Sequence, residues 1–446
     1  MRNRYTADFE TCVWEENETW VWAWAVCNID TEKIELGTEI DDFINYFYNK
    51  NATVYFHNLK FDGEFIIYWL LTHGFRHIED KKDVEDNTFT TLISDMGQFY
   101  TITIYFKKWN KKYRKVTFID SLKIIPLKVE EIPKAFNLQE SKLEIDYLEK
   151  REKGHKLTIE EQEYIKHDVL IVAKALKMMF AEKLEKMTIG SNALTNYKQI
   201  LTAKKFEHFF PNLDSMTDKE IRRAYKGGFT YLNPIYSERD VGKTTILDVN
   251  SLYPSVLYEK PMPYGEPIFY SGKYQEDKVY PLYIQMITCA FQVKKNHIPT
   301  IQIKGNRFIR ENEFIESSQG KQVTLVLTCV DLKLFLDHYD IIGNIIYECG
   351  WKFKQVYGLF TDYIDKWIKV KIEATKSGNK GKRTIAKLLL NSLYGKFATS
   401  LTVQSKIPFL SKEGIVKYVL GEKQEKLGLY IPVRMFYNCL RKRKNN

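Results

Sequence analysis

The sequence predicts a mixed α/β (α+β) chain of several domains, and three observations carry that reading. The chain has 446 residues, enough for about three domains of ordinary size. Hydrophobic residues make up 44% of it, so it folds around cores. Strand-type runs that carry a carboxylate and pass at once into helix-type sequence recur along it. The fullest is Thr244-Thr-Ile-Leu-Asp248-Val-Asn-Ser-Leu-Tyr253-Pro-Ser255. Its β-branched start favours a strand. Asn250 or Ser251 suits a helix cap and Pro254 a first helical turn, so Asp248 is expected where a strand ends.

Charge and cysteine usage narrow the class. Lys and Arg number 67 against 57 Asp and Glu, a net charge of +10, which favours a polyanionic partner. Aromatic residues make up 14%, with 29 Tyr, and Tyr beside Lys suits stacked bases and phosphates. Cys12, Cys27, Cys289, Cys329, Cys349 and Cys439 form no C-x-x-C pair, the usage of a reduced, cytoplasmic protein without structural zinc. The start, MRNRYTADFE, has no apolar signal segment, and no run approaches membrane-spanning length. No membrane partner is expected, and the sequons at Asn17 and Asn51 carry no meaning in that compartment.

Three stretches of the first third bring carboxylates. Tyr5-Thr-Ala-Asp8-Phe-Glu10-Thr11 reads as a strand, and Asp8 and Glu10, two apart, point from one face of it. Val54-Tyr-Phe-His57-Asn58-Leu-Lys-Phe61-Asp62 runs from strand into helix. Glu163-Tyr164-Ile-Lys-His-Asp168 lies on a helix opened by a Thr158-x-x-Glu161 capping box. Ile165, Val169, Val172, Leu176 and Met179 make its apolar stripe, with Tyr164 and Asp168 as neighbours at the stripe's edge. Singly, each pattern is ordinary: Asp-x-Glu on a strand is usually solvated, and His57 and His167 read as structural. Together, Asp8, Glu10, Asp62 and Asp168 give oxygen-only ligands, which suit two Mg²⁺ or Mn²⁺ ions. Two such ions about 4 Å apart can drive phosphodiester hydrolysis, with Tyr164 orienting the water.

D-F-E, N-x-x-F-D and Y-x-x-x-D, in this order, resemble the three exonuclease motifs of family B DNA polymerases. Phe118-Ile-Asp-Ser121-Leu122 resembles that family's (S/T)-L-x-x-h element. Lys142 matches a Lys that assists the exonuclease centre in the protein-primed branch. The resemblance implies an RNase H-like 3′–5′ exonuclease domain over residues 1–187. It further implies that Thr11, Asn58, Phe61, Ser121 and Leu122 hold the 3′ strand end.

Next in order, Arg222-Arg-Ala-Tyr225-Lys-Gly227-Gly228 places cations beside two Gly, which suits close approach to phosphate. It resembles the Y-x-G-G loop that follows DNA between exonuclease and polymerase domains, through Tyr225, Gly227 and Gly228. Gly242-Lys243-Thr244 is not a nucleotide loop, because Ser237 stands where the motif needs its first Gly and a strand is expected where it needs a helix. Asp248-x-x-Ser251-Leu252-Tyr253-Pro254 resembles polymerase motif A. There Asp248 and the Val249 carbonyl would bind the catalytic metals, and Tyr253 would pack under the incoming sugar. This implies a palm over 188–298. An insertion over 299–358, bounded by Pro299 to Lys304 and Asp331 to Tyr339, resembles the first terminal-protein region.

From Lys366 to Lys396 only Glu373 offsets a run of Lys and Arg. Such a run is usually a solvated helix face, but this one ends in Lys387-Leu-Leu-Leu-Asn391-Ser-Leu-Tyr394-Gly395. Lys387, Asn391 and Tyr394 share a helix face, where a Lys can meet a triphosphate and a Tyr a base. The stretch resembles motif B, implying fingers over 359–397, with Lys371 as a second triphosphate contact and Gly395 beside DNA. Lys406 to Leu420 reads as a hairpin, within a 398–433 region resembling the second terminal-protein insertion.

The family's second carboxylate motif, Y-x-D-T-D, does not follow. The last Asp is Asp365, and the acids after Gly395 are Glu413, Glu422 and Glu425. Residues 434–446 read as a basic, unrelated tail, so the expectation is a polymerase truncated before that motif and its thumb. The chain is thus identified as a member of the protein-primed family B DNA polymerases of small phages, the phi29-like type. That membership implies a monomer with single-stranded and primer-template DNA, dNTPs and a terminal priming protein as partners. A stand-alone single-strand 3′–5′ exonuclease and a non-catalytic DNA- or terminal-protein-binding remnant remain the alternatives.

Overall fold

A computed structural model describes residues 3–12, 19–110, 112–249, 251–302, 314–399, 402–421 and 424–425. The expected tail at 434–446, the interior of the insertion at 303–313 and the candidate cap Asn250 lie outside them. The chain divides into two compact units, residues 1–197 with 363–426, and residues 198–362 with 427–446.

The first unit is built on strands β1 (Asn3–Thr11), β2 (Val21–Asn28), β3 (Ile34–Gly37), β4 (Ala52–Phe56), β5 (Arg76–His77), β6 (Thr88–Ile93), β7 (Phe99–Trp109) and β8 (Lys112–Asp120). They form one sheet in the order β3-β2-β1-β4-β8-β7-β6-β5. β1 runs antiparallel to β2 and parallel to β4. Alternation along β1 sends Tyr5, Ala7 and Phe9 into an apolar core with Phe43 and Phe47 of α1 (Ile40–Tyr48) and Ile66 and Ile67 of α2 (Leu59–Thr72). The opposite face of β1 meets α4 (Ile159–Ala181), which follows the short α3 (Ile132–Phe136). Thr6 donates its hydroxyl to the Val169 carbonyl at 2.8 Å. The capping box expected at Thr158 and Glu161 opens α4, and Ile165, Val169, Val172, Leu176 and Met179 are all buried beneath it. Each is worth about 1.5–3 kcal/mol relative to exposure. α5 (Ile189–Leu201) follows.

The second unit holds α6 (Ala203–Phe209), α7 (Ser215–Arg222), α8 (Leu252–Glu259) and α9 (Cys329–His338) beside a sheet ordered β11-β10-β12-β9. Its strands are β9 (Met262–Ser271), β10 (Leu282–Val293), β11 (Val323–Thr328) and β12 (Tyr339–Val356). The strand expected at 244–249 is absent. These residues pair with no strand among the described ones, and Ile246 and Leu247 are 91% and 90% exposed. β-propensity without a partner strand does not make a strand. The helix does follow, as α8, with Ser251 at its cap in a left-handed conformation (φ 52°) and no side-chain cap bond.

The rest of the described chain comprises α10 (Thr361–Lys376), α11 (Lys380–Phe397), the pair β13 (Thr402–Val403) and β16 (Gln424–Glu425), and the hairpin β14 (Lys406–Leu410) and β15 (Val416–Leu420). The hairpin lies against the first unit's core through Val416 and Tyr418, and the Tyr418 hydroxyl bonds to Glu64 on α2.

Candidate active site

β1 and α4 together build an acidic cluster. Asp8 and Glu10 leave the same face of β1, opposite the buried Ala25 and Ala23 of β2. Asp168 comes from α4, one turn beyond Tyr164. Asp8, Glu10 and Asp168 each place a carboxylate oxygen within 4.8 Å of the others. Asp62, in the first turn of α2, is buried beside them, but its Oδ1 accepts the Phe9 amide at 3.2 Å. It therefore ties α2 to β1 while adding a fourth carboxylate to the neighbourhood.

The charges are poorly solvated. Burial, reinforced by Asp168, pushes Asp8 up to about 8, against the pull of Lys142 and the Phe9 amide. Burial likewise raises Glu10, with Asp8 and Asp168 adding to the effect. Asp62 is raised by burial and by Asp8. Asp168 is raised by burial although Lys142 opposes the shift, its ammonium lying 3.0 Å from Asp168 Oδ2. Asp168 Oδ1 is buried without a hydrogen-bond partner among the described residues. Crowded, desolvated oxygens and one orphaned carboxylate atom fit a divalent cation that prefers oxygen ligands.

Tyr164 is only 2% exposed, and its hydroxyl pairs with that of Tyr147. Burial, with Glu10 and Asp168 next, raises Tyr164 far above the usual phenol range, so it stays a neutral hydroxyl. Tyr147 was not singled out in the sequence. Its only signal is its place five residues after Lys142, in a stretch with no periodic pattern.

The residues expected to hold a strand end are placed unevenly. Phe61 is half exposed. Asn58 is exposed in a left-handed conformation, φ 78°, its amide donating to Asp120 Oδ1 at 3.1 Å. Thr11 is buried at the end of β1 and Leu122 is half-buried. Ser121 is fully buried. Its hydroxyl donates to the Phe56 carbonyl at 2.9 Å and lies 3.0 Å from His57 Nδ1, so its first role is internal. His57, lowered by burial, also bonds to the Leu127 carbonyl, as a structural histidine would.

In the second unit, Asp248 and Val249 are exposed on the irregular run before α8. Tyr225, Gly227 and Gly228 are exposed after α7. A Cβ on Gly228 would lie 3.2 Å from the Tyr253 hydroxyl, so this loop passes close to Tyr253. On α11, Lys387, Asn391, Tyr394 and Gly395 are exposed opposite the buried Leu389, Leu390 and Leu393. Lys371 is half-buried on α10. Among the described residues no helix is long and apolar enough to cross a membrane.

Residues 44–446 match the family model described as DNA polymerase type B, organellar and viral. The chain is 45% identical over 436 residues to the DNA polymerase of Bacillus phage phi29, covering 98% of this chain and 74% of that one. It is 44% identical over 438 residues to that of Bacillus phage Nf, covering 98% and 75%. The solved phi29 DNA polymerase complexed with single-stranded DNA superposes with a TM-score of 0.89 at 42% identity, covering 96% of this chain and 73% of that one.

Proposed function

Because the chain belongs to the type B DNA polymerases, in their protein-primed, phi29-like branch, we propose that its β1–α4 cluster is a metal-dependent 3′–5′ exonuclease centre acting on single-stranded DNA. One observation carries this reading: the convergence of Asp8, Glu10 and Asp168, with a buried Asp168 oxygen that has no hydrogen-bond partner among the described residues. A pair of Mg²⁺ or Mn²⁺ ions, when bound, would supply water activation and charge neutralisation at the leaving oxygen. Asp8, Glu10, Asp62 and Asp168 would hold them. Lys142 fixes Asp168 and favours its ionised form. Tyr164, kept protonated and held by Tyr147, orients the attacking water. Thr11, Asn58, Phe61 and Leu122 seat the strand end, with Ser121 bracing their loop from inside. That a relative was solved with single-stranded DNA supports the substrate class.

The test is release of nucleotides from a 3′-labelled single-stranded oligonucleotide. We expect activity with Mg²⁺ or Mn²⁺ and its loss by about 10³-fold in Asp8→Ala and Asp168→Ala, the scale of several kcal/mol of lost transition-state stabilisation. Unchanged activity in either variant refutes the assignment.

The polymerase residues form the second part of the proposal. Asp248 and the Val249 carbonyl would bind metal at the polymerisation site and Tyr253 would pack under the sugar. Lys371, Lys387, Asn391 and Tyr394 would receive the dNTP, and Tyr225, Gly227, Gly228 and Gly395 would line primer-template DNA. Terminal-protein binding would fall to residues 299–358 and 398–433. With no Asp after Asp365, nucleotide transfer by these 446 residues alone rests on too few carboxylates. Primer extension should be far slower than nucleotide release, and extension at a comparable rate would sink that expectation.

A further inference from the structure

Between Phe136 and Ile159 the chain has neither helix nor strand. Irregular segments beyond about 12–15 residues are usually functional or disordered, and this one is fastened at both ends. At the near end Lys174 pairs with Glu140, and His167 Nδ1 donates to the Ser141 carbonyl at 2.8 Å. At the far end stands Arg151, only 2% exposed. Its Nε donates to Glu161 Oε1 at 2.5 Å, its Nη1 to the carbonyls of Asp146 and Glu149 at 2.7 and 2.9 Å, and its Nη2 to Glu149 Oε2 at 2.9 Å. The guanidinium lies 4.6 Å over the Trp22 ring of β2. The other Glu161 oxygen accepts the Thr158 amide at 2.8 Å and lies 2.7 Å from His155 Nε2.

One carboxylate thus does two jobs: one oxygen closes the cap of α4 and the other clamps Arg151. Between the two fastenings lie Lys142 and Tyr147, the residues that reach Asp168 and Tyr164. We infer that Arg151, clamped by Glu161, is a positioning residue that seats the Lys142–Tyr147 stretch on the acidic cluster and thereby sets the rate of the nuclease step. This rests on the exonuclease reading above. The contacts argue for positioning: the guanidinium's hydrogen bonds close residues 146–151 on themselves and onto the first turn of α4.

The experiment compares Arg151→Met and Glu161→Gln in the full chain, the Gln keeping an oxygen for the helix cap but losing the charge. Glutamate-specific proteolysis after Glu144 and Glu149 should accelerate by about tenfold in both, as the loop opens more often. Nuclease kcat should fall by about 10- to 100-fold, as for other supporting residues of metal sites, with KM for the oligonucleotide held within about twofold. Combined with Lys142→Met, Arg151→Met should cost less than it does alone, because part of its effect passes through Lys142. Unchanged loop cleavage, an unchanged kcat, a loss confined to KM, or multiplicative losses with Lys142→Met would each overturn the proposal. If Arg151→Met does not fold, Arg151→Lys, which keeps the charge without the forked donors, should move the same quantities in the same direction, and no movement overturns it. A wild-type chain that releases no nucleotide refutes the exonuclease reading instead. The proteolysis result then still decides whether Arg151 seats the loop.

Discussion

Asp8 and Asp248 both sit in stretches rich in strand-forming residues, and their surroundings could hardly differ more. Asp8 lies on a strand paired on both sides, under a helix whose apolar stripe is buried. Asp248 lies on an exposed run flanked by Leu247 and Val249, themselves 90% and 62% exposed. Local propensity does not separate the two. Partners do: β2 and β4 fix the register of β1, and α4 closes over the face that register chooses. The acidic cluster is therefore assembled by its own unit's packing, whereas nothing among the described residues builds a frame around Asp248.

Perturbing the packing side of this contrast should have the largest effect. Ile165, the first residue of the stripe, is fully buried, so Ile165→Ala should cost about 2–5 kcal/mol, read by chemical denaturation of the full chain. A cost under about 1 kcal/mol would show that α4 is not what holds the cluster together.

An intermediate effect is expected from pH. Asp8 is raised from its ordinary value to about 8, and Glu10, Asp62 and Asp168 move the same way. A raised carboxylate favours the fold fully below its unfolded value, near pH 4, and that stability is lost as pH rises through about 8. In EDTA, Tm should therefore fall from about pH 5 to about pH 8, and Mn²⁺ should raise Tm more at the upper end, where the charges it offsets are formed. Glu161, held down to about 2 by Arg151, the Thr158 amide and His155 despite its burial, acts in the opposite sense and loses its contribution only as pH falls from about 4.5 through about 2. A Tm independent of metal across this range would remove the case for a cation in the cluster.

The smallest effect belongs to the exposed stretch. Leu247→Lys should change stability by no more than about 0.5 kcal/mol, measured in the same denaturation assay, and a larger loss would reveal packing around Asp248.

The same contrast explains what was legible in the sequence. Asp8 and Glu10 could be paired because strand periodicity is two, and Tyr164 and Asp168 because helix neighbours are four apart. The capping box announced where α4 begins. Motif order then carried the family. Burial of Tyr164, and the use of Asp62 on a backbone amide, depend on contacts between elements far apart in the chain and have no local signal. Arg151 was silent for the same reason: an Arg in a run of charged residues looks solvated until its partner, the capping Glu161, is known to face it. The strand expected at 244–249 failed because propensity was read without asking what it would pair with.

One consequence of β1 concerns length rather than composition. Its side chains alternate between an apolar core that takes Phe9 and an acidic face that takes Asp8 and Glu10, and it is clasped between β2 and β4. Removing a single residue such as Ala7 would turn both acids into the core and bring Phe9 round to the acidic face. This strand should accept changes of letter far more readily than a change in the number of letters, so any lineage carrying it is free to drift in spelling but not in spacing.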